Sequence, residues 1–113
     1  MNAVKLLIAG SRSIEQFDLS GYIFSQTDLI ISGGAKGIDT LAEQYADQHK
    51  ISKLIMRPRY DLYGKAAPII RNHEMVEMAD VVLIVWDGKS KGTKSTELYA
   101  RKMQKRVIVV VCE

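Results

Sequence analysis

The chain has 113 residues, of which 47% are hydrophobic and 26% are charged, and its formal net charge at pH 7 is +3. This length predicts one domain, residues 1–113, with a single core, and the composition is typical of a globular protein. The weak positive charge suits an anionic ligand but does not favour nucleic acid as a partner. The one cysteine, Cys112, cannot form an internal disulfide, and no apolar run is long enough for a signal peptide or a membrane span. We therefore expect a cytoplasmic protein with no membrane partner.

Five short apolar runs predict the strands of a sheet. They lie at residues 4–9, 29–31, 53–56, 81–86 and 107–111. Runs that are apolar on both faces are typical of a parallel sheet covered by helices on both sides.

Helical patterns separate these runs. Ser13 and Gln16 have the spacing of a capping box and predict a first helix. Three further helices are predicted from apolar residues at helical spacing, which are positions 38, 41, 42, 45 and 46, positions 69, 73, 76 and 79, and positions 98, 100 and 103. The order of elements predicts an α/β fold, a Rossmann-like doubly wound five-stranded parallel sheet with helices on both faces. Right-handed crossovers would place every loop from a strand to a helix at one edge, where ligands bind in such folds.

The loop after the first predicted strand offers polar groups at this edge. Gly10 lets the backbone turn sharply, Ser11 offers a hydroxyl, and Arg12 offers a planar guanidinium suited to phosphate or carboxylate. We predict these three as ligand-binding residues, although a surface arginine beside a helix start is the simpler alternative for Arg12.

The loop after the second strand is rich in glycine. Gly33, Gly34, Ala35 and Gly37 join an apolar run to a helical pattern, so bare backbone N–H groups and a helix dipole are expected to converge on a phosphate. Glycines also occur in such turns for packing alone. Asp39 falls in the first helical turn, where it would repel a phosphate, and it is predicted to bond ribose hydroxyls or to orient the loop.

Two more loops are predicted to reach the same edge. Residues 57–60 follow the third strand and receive no assigned role. The loop after the fourth strand contains Asp87, Ser90, Gly92 and Thr93, and it opens a helix, so it is a second candidate anion site. No metal site and no cofactor is evident, since His49 and His73 lie far apart and lack neighbours at ligand spacing.

Four motifs together resemble one known family. They are IAGSR at 8–12, SGGAKGID at 32–39, RNHEM at 71–75 and DVVLIVWDGKSKGT at 80–93. In this order they resemble the SMF/DprA–LOG (SLOG) superfamily, and within it the small YspA-like branch. The resemblance covers nearly the whole chain and implies a Rossmann-like fold with a pocket for nucleotides or nucleotide-derived ligands. It also implies that Arg71 and Asn72 open the third helix and face that pocket.

Members of this superfamily differ in activity. LOG-type proteins are phosphoribohydrolases that cleave the N-glycosidic bond of nucleoside monophosphates with a glutamate and an arginine, which makes Glu97 and Arg71 catalytic candidates. Thr96 occupies the position of the family glutamate and Glu97 follows it by one residue, a rotation of about 100° on a helix. The simpler alternative for Glu97 is an ion pair with Arg101 at i, i+4.

The sequence therefore leaves three functions open. The leading hypothesis is a module that binds or senses a nucleotide-derived small molecule. The alternatives are an N-glycosidase acting on a nucleoside monophosphate and a DprA-like accessory protein for single-stranded nucleic acid, the latter suggested by the basic residues at positions 101, 102, 105 and 106. The resemblance also favours a homo-oligomer, since relatives often pair through helices. The residues do not decide between binding and catalysis.

Overall fold

The computed structural model describes residues 3–112, and within them five strands form a single all-parallel sheet. The strands are β1 Val4–Gly10, β2 Thr27–Ser32, β3 Ser52–Ile55, β4 Val81–Trp86 and β5 Arg106–Val111. Their order across the sheet is β3-β2-β1-β4-β5. This confirms the predicted Rossmann-like α/β fold, and each strand lies where an apolar run predicted it.

Four α-helices lie between these strands along residues 3–112. They are α1 Ile38–Gln48, α2 Tyr60–Tyr63, α3 Ala67–Met78 and α4 Lys91–Lys102. Helices α1, α3 and α4 match three of the predicted helices, whereas the short α2 lies in the loop after β3. Ile69 on α3 and Leu98 on α4 are more than half exposed, although the helical pattern counted both as apolar positions. Among residues 3–112, no helix is long and apolar enough to cross a membrane.

The predicted helix after β1 is wrong. Residues 11–26 contain only the 3₁₀ turn Ser20–Tyr22. The hydroxyl of Ser13, expected to cap a helix, instead donates to Asp87 Oδ2 at 2.8 Å. Asp18 Oδ1 accepts hydrogen bonds from the amide and the hydroxyl of Ser20, and such local bonds compete with helix formation.

The sheet is covered on both faces, as predicted. On one face, Leu6, Ile8 and Ile30 pack with α1 and with Leu19 of the irregular segment. On the other face, residues of α3 and α4 pack against Leu7, Ile31 and the alternate side chains of β4. Because β1 and β4 are central, their side chains are buried on both faces, which explains why their sequences are continuously apolar.

The strand order places a topological switch point between β1 and β4. From β1 the chain proceeds to β2 and β3 on one side, then crosses to β4 and β5 on the other. The loops that leave β1 and β4 therefore diverge to opposite faces and leave a crevice at the carboxyl edge of the sheet.

Gly10 permits the close approach of three elements at this crevice. A Cβ at position 10 would clash with the carbonyl oxygen of Val85 and would lie 2.7 Å from Cβ of Ile38. Both neighbours belong to regular elements, β4 and α1, that cannot move without disturbing the core.

We expect Gly10→Ala to lower the free energy of unfolding by about 1–3 kcal/mol, the usual range for overpacking. Urea denaturation measures this change. Gly21→Ala is the matched control because a Cβ there meets no atom within 4 Å, and it should stay within about 0.5 kcal/mol of the wild type. Equal stability of the two variants would contradict the close approach.

Candidate functional site

A cavity of about 460 Å³ lies at the switch point. Ten of the residues predicted to bind ligand line it, namely Gly10, Arg12, Ala35, Asp39, Arg71, Asn72, Asp87, Ser90, Gly92 and Thr93. Five further residues that were not predicted complete the lining, namely Ala9, Ser13, Pro68, Met75 and Thr96. The fold thus brings four separate loops and helix starts around one space.

The first turn of α4 opens onto this cavity. Gly92 and Thr93 lie in that turn and line the space. Within the described part of the chain, the side chain of Ser90 makes no capping hydrogen bond to the helix, and its hydroxyl lies 3.1 Å from that of Thr93. The positive end of the helix dipole therefore points at the cavity, where it favours an anion.

Asp87 organises the two loops at the switch point. Its Oδ1 accepts hydrogen bonds from the amides of Lys89 and Ser90, both at 2.8 Å, and its Oδ2 accepts the hydroxyl of Ser13. Its own amide donates to the hydroxyl of buried Ser11 at 3.0 Å. The bonds from Lys89, Ser90 and Ser13 hold the pKa of Asp87 far below its ordinary value. Ser11 thus supports the loop and is not among the residues that line the cavity.

The glycine loop differs from the expected phosphate cradle. The amide of Gly34 donates to Ser32 Oγ at 3.2 Å, and the amide of Ala35 donates to Asp39 Oδ2 at 3.1 Å. The expectation of bare amides is therefore wrong for these two residues, because side chains of the same chain already accept their hydrogens. Asp39 orients the loop, as one of its two predicted roles stated.

Burial raises the pKa of Asp39 above its ordinary value. The amide of Ala35 and the charge of Arg71 oppose this effect without cancelling it. The carboxyl nevertheless borders the cavity, so this wall of the site disfavours a phosphate and offers an acceptor for hydroxyl or N–H groups.

The glycines of this loop serve close packing. A Cβ at Gly33 would lie 2.9 Å from Arg71 Nη1, and one at Gly34 would lie 2.7 Å from Arg57 Nη1. Gly37 has a φ of +74°, and a Cβ there would lie 2.5 Å from the carbonyl oxygen of Ser11. These three glycines admit two guanidinium groups and a neighbouring loop, and they lie outside the lining of the main cavity.

Arg71 ties the glycine loop to its neighbours. Its Nη1 donates to the carbonyl oxygens of Gly33 and Met56, at 2.6 and 3.1 Å, and its Nε donates to Asn72 Oδ1 at 2.8 Å. Burial lowers its pKa, while the charge of Asp39 opposes that shift. Arg71 and Asn72 line the cavity as expected, but the expectation that they open the third helix is wrong, because α3 begins at Ala67. Asn72 accepts from Arg71, and Arg71 in turn holds the carboxyl ends of β2 and β3.

Glu97 lies apart from the cavity. Its carboxylate is paired with Lys94 at 3.2 Å and with Arg101 at 2.9 Å, and its side chain is buried. Burial acts to raise its pKa, but the hydrogen bonds from Arg101 and Lys94 outweigh burial and lower it. Thr96 lines the cavity instead, because one residue along a helix turns the side chain by about 100°.

Of the four basic residues predicted near the end of the last helix, Arg101 and Lys102 end α4, Lys105 follows it and Arg106 begins β5. Arg101 bonds to Glu97, the ammonium of Lys105 donates to the carbonyl oxygen of Glu77, and Arg106 lies over the ring of Phe24. Three of the four basic side chains therefore contact other residues of the chain.

Sequence reasoning gave no role to Arg57, which lies at the carboxyl end of β3. Its Nη1 donates to the carbonyl oxygen of Gly34 at 3.0 Å. Its position could have suggested a role, because Arg57 directly follows the third apolar run in a loop that was expected at the carboxyl edge of the sheet. Its partner, a backbone carbonyl 23 residues earlier, leaves no pattern in the sequence.

Comparison of the chain with protein-family models, with curated proteins and with solved structures gave no match. We therefore infer the function from the geometry of the site and from the sequence motifs.

Removing the carboxylate of Asp87 should loosen the crevice in a pH-dependent way. Since the folded state lowers the pKa of Asp87, its contribution to stability is fully present above the ordinary carboxyl pKa. It is lost progressively as the pH falls from that value through the lowered pKa of the folded state. We expect Asp87→Ala to be less stable than the wild type at pH 7, and the difference to shrink at pH 3.

Urea denaturation at the two pH values measures this difference. Glu15→Ala, which removes an exposed carboxylate from the segment after β1, is the control and should show no comparable change. A stability difference for Asp87→Ala that is the same at both pH values would contradict the assigned hydrogen bonds.

Proposed function

We propose that this protein binds a nucleotide or a nucleotide-derived small molecule at the carboxyl edge of its sheet. The observation that carries the proposal is the open first turn of α4, which faces the 460 Å³ cavity at the switch point. Cavities of this size are typical of sites for small molecules, and doubly wound sheets bind ligands at this place.

The walls of the cavity differ in charge, which suits the two parts of a nucleotide. The α4 start and the guanidinium of Arg12 favour the phosphate. Asp87 also lines the cavity, but its carboxylate is already engaged by hydrogen bonds from Lys89, Ser90 and Ser13. The carboxyl of Asp39 and the amide of Asn72 lie on other parts of the lining and provide hydrogen-bonding groups for ribose hydroxyls or for a base. The resemblance of four motifs to the SLOG superfamily supports the same ligand class.

Gly92 offers a sharp test of the phosphate position. A Cβ at this residue meets no atom within 4 Å, so both Gly92→Ala and Gly92→Asp should fold. Alanine should add about 0.5–1 kcal/mol to stability and keep ligand binding. Aspartate is also tolerated at a helix start but should repel the phosphate and weaken binding by about tenfold or more.

Thermal-shift measurements with AMP, NAD and ADP-ribose compare these variants with the wild type. A ligand at 100 times its Kd adds about 2.7 kcal/mol of stability, which is a readily measured shift. No shift for any of the three compounds in the wild type, or an equal shift in Gly92→Asp, would contradict the proposal.

A second candidate function is cleavage of the N-glycosidic bond of a nucleoside monophosphate. Asp39 favours it, because a buried carboxyl with a raised pKa beside a cavity is suited to general acid–base work. Glu97 is less suited, since Lys94 and Arg101 occupy its carboxylate.

If the protein cleaves N-glycosidic bonds, incubation with AMP should release free adenine. We expect Asp39→Asn to lower the rate by about 10²–10⁴-fold, the usual share of a general acid or base, and Glu97→Gln to retain it. Chromatography of the released base measures the rate. No release by the wild type, or full activity of Asp39→Asn, would contradict this candidate.

Several expectations about cellular context stay predictions. They are the cytoplasmic location, the pairing of the chain into a homo-oligomer and the lack of a nucleic-acid partner. A function in binding a small nucleotide-derived ligand is compatible with each of them.

A further inference from the structure

Three arginine side chains converge beside the main cavity. A smaller cavity of about 170 Å³ is lined by Arg12, Arg57 and Arg71, together with Tyr60 and the glycine loop. Arg12 and Arg71 also line the main cavity, so the two spaces adjoin at these two side chains.

In the described part of the chain, the positive charges of this cluster have no close ion-pair partner. Within residues 3–112, none of the three guanidinium groups has a carboxylate oxygen within 4.0 Å, whereas the neighbouring Arg59 is paired with Asp61. Asp39 attracts Arg71 from a greater distance, and Arg12 repels it. Like charges that a fold holds together without a close ion-pair partner favour the binding of an anion.

Two of the arginines are held in place by the backbone. Arg57 donates to the carbonyl oxygen of Gly34, and Arg71 donates to those of Gly33 and Met56. A guanidinium has five N–H donors. These bonds use Nε and Nη1 of Arg71 and Nη1 of Arg57, and for residues 3–112 they leave Nη2 of both groups without a protein acceptor. Donors fixed in this way are suited to the oxygens of a phosphate group.

We propose that Arg12, Arg57 and Arg71 form a second anion subsite, which holds a further phosphate group of the ligand. This inference rests on the proposed function, since the first phosphate lies at the start of α4. The ligand class is then narrowed to nucleotides that carry at least two phosphate groups. Arg57 belongs to the second subsite alone, because it does not line the main cavity.

Calorimetric titration with AMP and with ADP tests the subsite. The wild type should bind ADP about tenfold more tightly than AMP, as expected for an added charge-assisted hydrogen bond. In Arg57→Ala the ratio of the two Kd values should fall towards one. Arg59→Ala, which removes a nearby paired arginine, should keep the tenfold ratio. Equal Kd values in the wild type, or an unchanged ratio in Arg57→Ala, would overturn the subsite.

Inorganic pyrophosphate separates this inference from the proposed function. It should shift the side-chain Nε–H signal of Arg57 in ¹H–¹⁵N NMR spectra, even if neither nucleotide binds. If neither AMP nor ADP binds but pyrophosphate shifts the NMR signal of Arg57, the proposed function is contradicted and the anion subsite is supported. The absence of any shift at Arg57 with pyrophosphate would overturn the subsite whatever the nucleotides do.

Discussion

The carboxyl group of Asp39 sets the conformation of the ligand edge. It lies in the first turn of α1, is buried, and accepts the amide of Ala35, while Ser32 Oγ accepts the amide of Gly34. Two amides of the glycine loop therefore already have acceptors within the chain. Its carbonyl groups, at Gly33 and Gly34, face outward to the guanidinium groups of Arg71 and Arg57.

Because of these hydrogen bonds, we place the anion site at the start of α4, on the opposite side of the crevice from the start of α1. Two helices start at the edge after glycine-containing loops, but a carboxylate already occupies the first turn of α1. The first turn of α4 contains no acid and opens on the cavity. The carboxylate of Asp87 also lines the cavity, but its oxygens accept hydrogen bonds from Lys89, Ser90 and Ser13. We therefore propose that an anion binds at the start of α4, whose first turn carries no acid, and not at the start of α1, whose first turn carries Asp39. The arginines provide a further positive wall next to the glycine loop.

The sequence was sufficient for most of the architecture, since strands buried on both faces have long apolar runs and α1 has a regular helical pattern. It failed for residues 11–26, where Asp18 and Ser20 form a local turn and Ser13 bonds to a residue 74 positions away. The glycine loop was located correctly, but the fate of its amides depends on the rotamers of Ser32 and Asp39. The role proposed for Arg57 depends on contacts between distant residues, which a single sequence does not encode in any local pattern.

We propose the start of α4, and not the glycine loop, as the place where an anion binds. Backbone ¹H–¹⁵N NMR spectra recorded during titration with AMP test it directly. We expect the largest shifts at the amides of Gly92 and Thr93. The amides of Gly34 and Ala35 should change little, because their hydrogens are already bonded within the chain. Largest shifts at Gly34 and Ala35, or no shift at any amide of this edge, would contradict it.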